Sequence, residues 1–281
     1  MNLLPFEMLA CPLDGEQLRQ KGKQWQCING HSFDEAKQGY INLLPAHFRR
    51  SRDPGDSRQM VAARSAFLQN GYYLPIATAV NETLQKHIDT AATCVSCLDA
   101  GCGEGYYAGQ MQQSTEYRDI AFLGMDVSKW AILGAARKLI PAKWIVATNA
   151  RIPVSAGAFD FVLCIFGFPV YQEFLRVLKP GGKLIKVDAG ESHLRELREI
   201  IYPQMKQQKT ATTALDTTFS LIEQHAVKFP FFLDNRQQIS DLLTMTPHRY
   251  RADAQGLAKL SEHASLGLNA DAKISVYEAR H

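Results

Sequence analysis

Two groups of residues in this chain have the types and spacing that chemistry needs. The first runs Asp99-Ala100-Gly101-Cys102-Gly103-Glu104-Gly105, with Asp126 twenty-one residues beyond the last glycine. Glycines at alternate positions let a backbone turn tightly and approach a ligand with no Cβ in the way. An acid at the end of the following strand can accept hydrogen bonds from both hydroxyls of a ribose. The spacing G-x-G-x-G, with Tyr106 after it, departs from the G-x-G-x-x-G of dinucleotide sites, where a pyrophosphate meets a helix N-terminus. Asp99 would repel a pyrophosphate and attract a cation. Together these residues describe a crevice for a positively charged nucleoside.

The second group is Cys11, Asp14, Cys27 and His31, spaced like the ligands of a zinc finger. Zinc accepts thiolate, imidazole and carboxylate in a tetrahedral shell. Asp at the second position is unusual in a structural site and bonds the metal less covalently. Two readings therefore stand, one structural zinc or a small β-rich module with two free cysteines. A metal would matter, because roughly 40 residues bury too little apolar surface to hold a fold unaided. Cys94 and Cys97 form a second C-x-x-C, but on a strand residues three apart face opposite sides. Cys102 reads as a small packing residue.

The elements that must hold these groups follow from pattern. Residues 1–45 are short and turn-rich and form the finger-like module. Residues 46–90 are a basic connector and helices, and residues 91–281 are one large α/β domain. Asp53-Pro54-Gly55-Asp56 is turn chemistry, after which Ser57 caps a helix over 58–69. Ile76, Val80, Leu84 and Ile88 stripe a second helix over 76–88. Strands are expected at 94–100, 120–126, 144–147, 159–166 and 183–187, with helices at 105–113, 129–139 and 171–178 between them. Such alternation argues for an α/β, doubly wound, mostly parallel sheet. Beyond that, only a helix near 191–202 and a strand near 273–278 are expected.

Composition bounds the rest. The chain has 281 residues, 46% hydrophobic and 21% charged, with a formal net charge of +3. That excludes disordered and fibrous classes, and the charge alone does not indicate a nucleic-acid binder. No apolar run reaches roughly 18 residues, so no membrane span is expected. MNLLPFEMLA lacks the basic start of a secretory leader. Six cysteines in a chain of this length do not read as a disulfide framework, which points to the reducing cytoplasm.

Acid-x-G-x-G-x-G, an acidic strand end and Leu178-Lys179-Pro180-Gly181-Gly182 resemble the class I (Rossmann-like) S-adenosylmethionine-dependent methyltransferases. The longer series CPL, HSFD, GYINLLP, RSRDPGDS, CGEGYY, DVSK, VLKPGG, HLREL and MTP resembles one family within them, the RlmA/RrmA 23S ribosomal RNA guanine-N1 methyltransferases. The series spans nearly the whole chain, and RSRDPGDS and GCGEGYY are its most discriminating pieces. The resemblance implies a zinc-binding N-terminal module on a Rossmann-like domain, with S-adenosylmethionine as cofactor. It implies cofactor contacts at Gly103, Glu104, Tyr73 and His193, joining Asp99, Gly101, Asp126 and Asn149 from the residue reading. It also implies a 23S ribosomal RNA hairpin as substrate and a homodimer. Two departures stand out. The family has Cys where this chain has Asp14, and residues 164–171 (CIFGFPVY) differ from the family pattern at a strand end that faces substrate.

On that basis Phe166, Phe168 and Tyr171 are candidates to stack on an unstacked base, or are packing residues. Arg49, Arg50, Arg52, Arg58 and Arg64 are candidates to meet RNA phosphates, or form a solvated connector. The residues do not identify the general base. Rival readings are a methyltransferase for another RNA, a small molecule or a protein, an RNA-binding relative without turnover, and a nicotinamide enzyme.

Overall fold

The computed structural model describes residues 1–48, 51, 53–113, 118–202 and 218–280. In chain order the N-terminal elements are β1 (Asn2–Pro5), β2 (Arg19–Lys21), β3 (Gln24–Gln26), β4 (Ser32–Asp34) and β5 (Tyr40–Asn42). Next come α1 (Arg58–Gln69), α2 (Leu74–His87), β6 (Cys94–Ala100), α3 (Tyr106–Gln112), β7 (Asp119–Asp126), α4 (Lys129–Ala136) and β8 (Lys143–Val146). The second half holds β9 (Phe159–Ile165), α5 (Tyr171–Val177), β10 (Leu178–Ala189), α6 (Arg195–Ile201), β11 (Phe219–Leu233), α7 (Arg236–Met245), α8 (His248–Arg251), α9 (Ala254–Glu262) and β12 (Leu266–Ala279).

Nine strands form one sheet in the order β11-β12-β10-β9-β6-β7-β8-β5, with β1 added beside β7. β5 through β10 run parallel, and β12 is antiparallel to both β10 and β11. The chain winds outward from β6 through β7 to β8, then returns to the other side of β6 at β9. That reversal is where open α/β sheets bind ligands, at the carboxyl ends of the strands. Helices cover both faces over two apolar cores, and β9 is buried on both, as its run FDFVLCI requires.

β2, β3 and β4 make a separate three-stranded ribbon. The strands on either side of it belong to the main sheet. β1 pairs with Asp119–Phe122 of β7, and β8 takes the same edge over the next four residues. β5 then pairs with β8.

Local chemistry explains several elements. Ser57 opens α1, its Oγ accepting the Met60 N–H at 3.3 Å. Gly124 on β7 lies under Trp144 of β8, where a Cβ would sit 2.1 Å from the ring. Asp160 accepts from the Ser96 N–H at 2.8 Å, from the Ser96 hydroxyl at 2.7 Å and from Lys179 at 2.8 Å. It cross-links β6, β9 and the start of β10, the structural role its position suggests. Lys179-Pro180-Gly181-Gly182 does not end a helix ahead of a new strand. β10 begins at Leu178, already paired with Phe159, and the four residues form an irregularity before pairing resumes at Lys183.

Candidate active site

The glycine turn opens directly from β6. Gly101, Gly103 and Gly105 have φ of 101°, 56° and 75°, a region that costs an L side chain strain. The Gly101 and Cys102 N–H groups donate to the Met125 carbonyl at 2.8 and 3.0 Å, which clamps the turn to the tip of β7. Asp126 is tied from both sides. Its Oδ2 accepts the Gly103 N–H at 3.1 Å and its Oδ1 the Ser128 N–H at 2.8 Å. Burial raises its pKa, and those two N–H groups oppose the rise. Each carboxylate oxygen keeps acceptor capacity for a further donor.

Asp99 is 1% exposed, and neither of its carboxylate oxygens has a hydrogen-bond partner among the described residues. Burial, then the nearby Asp126 and Glu104, pushes its pKa up to about 7. A buried carboxylate without a partner is costly. An ammonium group is the ligand that would satisfy it, so the crevice fits a cationic nucleoside cofactor.

Tyr73 and His193, each a cofactor contact in the resemblance, lie against one another although 120 residues separate them. Tyr73 Oη lies 3.1 Å from His193 Nε2. Nδ1 of His193 accepts the Asp271 N–H at 3.2 Å. Burial lowers the imidazole pKa to about 4. Phe166 completes the cluster, its ring centroid 5.6 Å from His193 and 6.0 Å from Tyr73. It is 38% exposed and holds φ at 51° immediately after β9. A bulky side chain in that conformation is uncommon and marks a position under constraint. Phe168, two residues on, is 83% exposed. Tyr171 instead packs edge-on to Phe219 at 6.2 Å, on the other face.

Glu104 and Asn149 take different positions. The Glu104 side chain packs against Gly134 of α4, and its carboxylate pairs with Lys138 at 3.4 Å. Asn149 follows β8, and its Nδ2 donates to the Phe168 carbonyl at 3.0 Å. It thereby ties the loops at two strand ends together.

The connector is part of the site, which the basic-cluster reading did not anticipate. Gly55, with φ at 82°, packs so closely on Val127 and Ser128 that a Cβ would fall within 2.8 Å of Val127. The Ser128 hydroxyl donates to the Asp56 carbonyl at 2.6 Å. Arg64 turns inward, pairing with Asp56 and donating to the Met245 carbonyl at 3.4 Å. Arg58 stays exposed, and Arg49, Arg50 and Arg52 lie outside the described residues.

In the ribbon, Cys11, Asp14, Cys27 and His31 converge, with one ligand atom from each lying within 4.8 Å of all the others. His31 Nδ1 is 2.8 Å from Asp14 Oδ2 and 3.5 Å from both sulfurs. Burial pushes the Cys11 thiol up to about 11. Two sulfurs, a nitrogen and a carboxylate oxygen at this spacing fit one tetrahedral zinc. All six cysteines are free, Cys94 exposed and Cys97 buried on opposite sides of β6. No helix among the described residues is long and apolar enough to cross a membrane.

Comparison with known proteins agrees with both parts. Residues 9–52 match the zinc-ribbon model for the RlmA N-terminus, and residues 97–182 match a methyltransferase domain model. A Streptomyces fradiae protein named 23S rRNA (guanine(748)-N(1))-methyltransferase is 31% identical over 256 residues, 89% of each chain. YxjB of Bacillus subtilis, whose name proposes 23S rRNA (guanine-N(1)-)-methyltransferase activity for it, is 32% identical over 96% of this chain and 97% of its own. The crystal structure of YcgJ from Bacillus subtilis aligns at a TM-score of 0.46 and 15% identity, covering 73% of this chain and 98% of that one. With relatives above 30% identity along nearly its whole length, a zinc ribbon and a methyltransferase fold, this chain belongs to the RlmA-type family of 23S rRNA (guanine-N1)-methyltransferases.

Proposed function

We propose that this protein transfers a methyl group from S-adenosylmethionine to N1 of a guanine in a hairpin of 23S ribosomal RNA. The observation that carries the reading is Asp99, a buried carboxylate without a partner, set below a glycine turn and beside an acidic strand tip. S-adenosylmethionine supplies a methyl group already activated on a sulfonium, so the protein's task is alignment.

In this reading Asp99 takes the cofactor's ammonium group and Asp126 its ribose hydroxyls. The backbone of Gly101, Gly103 and Glu104 lines its path, and Asn149 borders the adenine. The hydrogen bonds around His193 support a further donor. The Asp271 N–H occupies Nδ1, so the ring proton is on Nε2 and donates to Tyr73 Oη. The hydroxyl proton of Tyr73 is then available to an acceptor on the ligand. Phe166 and Phe168 at the end of β9 offer ring surface to a base drawn out of its stack. Guanine N1 must lose a proton as it attacks, and no side chain is assigned that role.

Zinc, held by Cys11, Asp14, Cys27 and His31, is structural in this reading and remote from methyl transfer. The ribbon favours an RNA substrate over a metabolite, because methyl transfer to a small molecule needs no second recognition module. A ribosomal RNA substrate carries with it a cytoplasmic location, and the resemblance adds a homodimer. The decisive experiment is mass mapping of methylated guanines in ribosomal RNA from cells with and without this protein. One N1-methylguanine that disappears with the gene supports the assignment. An unchanged map, with purified protein inert toward 23S hairpins, would overturn it.

A further inference from the structure

Outside the crevice, α1 and α4 enclose a cavity of about 320 Å³, within the range of small-ligand sites. Arg58, Trp130, Leu133, Arg137, Lys138 and Glu104 line it. Its one acid is withdrawn, since the Glu104 side chain is 3% exposed and paired with Lys138. Arg58 and Arg137 are exposed, and among the described residues neither pairs with a carboxylate. The wall therefore presents two guanidinium groups to solvent beside an aromatic ring. The Arg58 guanidinium sits 5.9 Å from the Trp130 ring centroid. The Trp130 indole N–H donates to Asp53 at 3.2 Å, which fixes the ring's orientation. Leu133 and Val61 supply an apolar floor. In sequence, Arg49, Arg50 and Arg52 run directly into Asp53.

We propose that this cavity is a docking pocket for a nucleotide of the RNA substrate other than the guanine that is methylated, with its phosphate on Arg58 and Arg137 and its base against Trp130. Guanidinium groups match phosphate oxygens in pairs, and every base has a face that can lie on an indole. The pocket shares Glu104 with the glycine turn, so a strand held there passes beside the cofactor crevice. The inference rests on an RNA substrate and adds where a second part of that RNA is gripped.

The test uses the full-length protein, a labelled 23S hairpin transcript and fluorescence anisotropy between about 50 and 200 mM salt. The double variant Arg58→Ala/Arg137→Ala should weaken binding and reduce the slope of log affinity against log salt by about 1, as one lost phosphate contact requires. Trp130→Ala should weaken binding by about 5- to 100-fold with the slope retained, and Trp130→Phe should restore most of the loss. S-adenosylmethionine affinity, measured by calorimetry, should match wild type in all of them. If Trp130→Ala does not fold, the arginine pair and Trp130→Phe decide the matter.

Wild-type affinity and slope in the double variant would overturn the pocket while leaving the methyltransferase reading intact. So would adenosine monophosphate that binds at Trp130 without displacing the transcript, since the site would then serve a free nucleotide. A wild-type protein that neither binds nor methylates the hairpin would overturn the function itself, and the pocket with it.

Discussion

The Tyr73 hydroxyl lies 3.1 Å from Nε2 of His193, and the backbone N–H of Asp271 on the other ring nitrogen dictates which partner donates. The imidazole donates and the phenol accepts, leaving the phenol's own proton for a ligand. Tyr73→Phe should raise the dissociation constant for S-adenosylmethionine about tenfold, the effect of one hydrogen bond to a charged group. The maximal rate at saturating cofactor should change far less. Calorimetry with steady-state kinetics would separate the two, and an unchanged dissociation constant would rule the donor out.

His193 also sets a pH dependence of stability. Its pKa is about 4 in the fold and about 6.5 in an unfolded chain, so between these values the unfolded chain binds the extra proton. Stability from this site is complete above about pH 6.5 and declines as pH falls toward 4, by up to roughly 3 kcal/mol. Urea midpoints at about pH 7 and about pH 5 should differ by less in His193→Gln than in wild type. Parallel shifts in both proteins would assign the slope to other groups.

Asp99 predicts proton-linked cofactor binding. With a pKa of about 7 in the free protein, it is partly protonated near neutrality and must ionise to receive an ammonium group. Affinity should fall as pH drops below about 7, approaching tenfold per pH unit. Binding near neutrality should release protons, visible as a buffer-dependent enthalpy. Asp99→Asn should bind weakly at every pH and show neither effect. A flat profile in wild type would count against the carboxylate–ammonium contact.

Among the four residues proposed to hold zinc, Asp14 supplies the one carboxylate oxygen. Asp14→Cys should bind zinc more tightly and lose it to a chelator more slowly, because thiolate replaces carboxylate in a site whose other donors already converge. Cys27→Ser should lose the metal and expose ribbon amides to hydrogen exchange while the large sheet keeps its protection. Metal analysis by mass spectrometry and exchange on the same samples would check both. A metal-free wild-type protein with a fully protected ribbon would show that apolar packing suffices.

Phe166 should serve the RNA step. Phe166→Ala should lower kcat/KM for the hairpin by about 5- to 100-fold, the range for a lost base-stacking surface. Replacement by Tyr should preserve most of the activity. Loss confined to the KM for cofactor would instead make the ring a wall of the cofactor crevice.

Gly124→Ala should destabilise the fold by about 2–4 kcal/mol, because a Cβ there would lie 2.1 Å from Trp144 and neither strand can move aside. Chemical denaturation would measure it. A change under 1 kcal/mol would mean that the indole repacks.

Much of this site was legible from residue order. β6, β7 and β8 alternate with helices, each apolar run is bounded by turn residues, and the glycine turn and Asp126 fall where such alternation puts a crevice. In the C-terminal third only the helix near 191–202 and the strand near 273–278 were legible, as parts of α6 and β12, while β11 and α7 to α9 were not. β11 is a long outer strand, exposed at alternate residues along most of its length, and carries Pro230, which a central strand would not tolerate. Its pattern is weak because the half-buried face carries Glu223 and His225 while Leu221, Ile222 and Phe232 are exposed. The grip of Asp271 on His193 spans 78 residues and leaves no local trace. Arg64 looked like one more cation in a basic run, and only packing reveals its inward turn to Asp56.

β1 and β5 leave the zinc ribbon stitched into the same sheet at both ends. A recognition module tethered by one flexible arm could swing to meet substrates of different shape. The ribbon is anchored on both sides, so the sheet fixes its distance from the glycine turn. In the proposed function, an RNA that engages both the ribbon and the crevice must present two features at that fixed spacing.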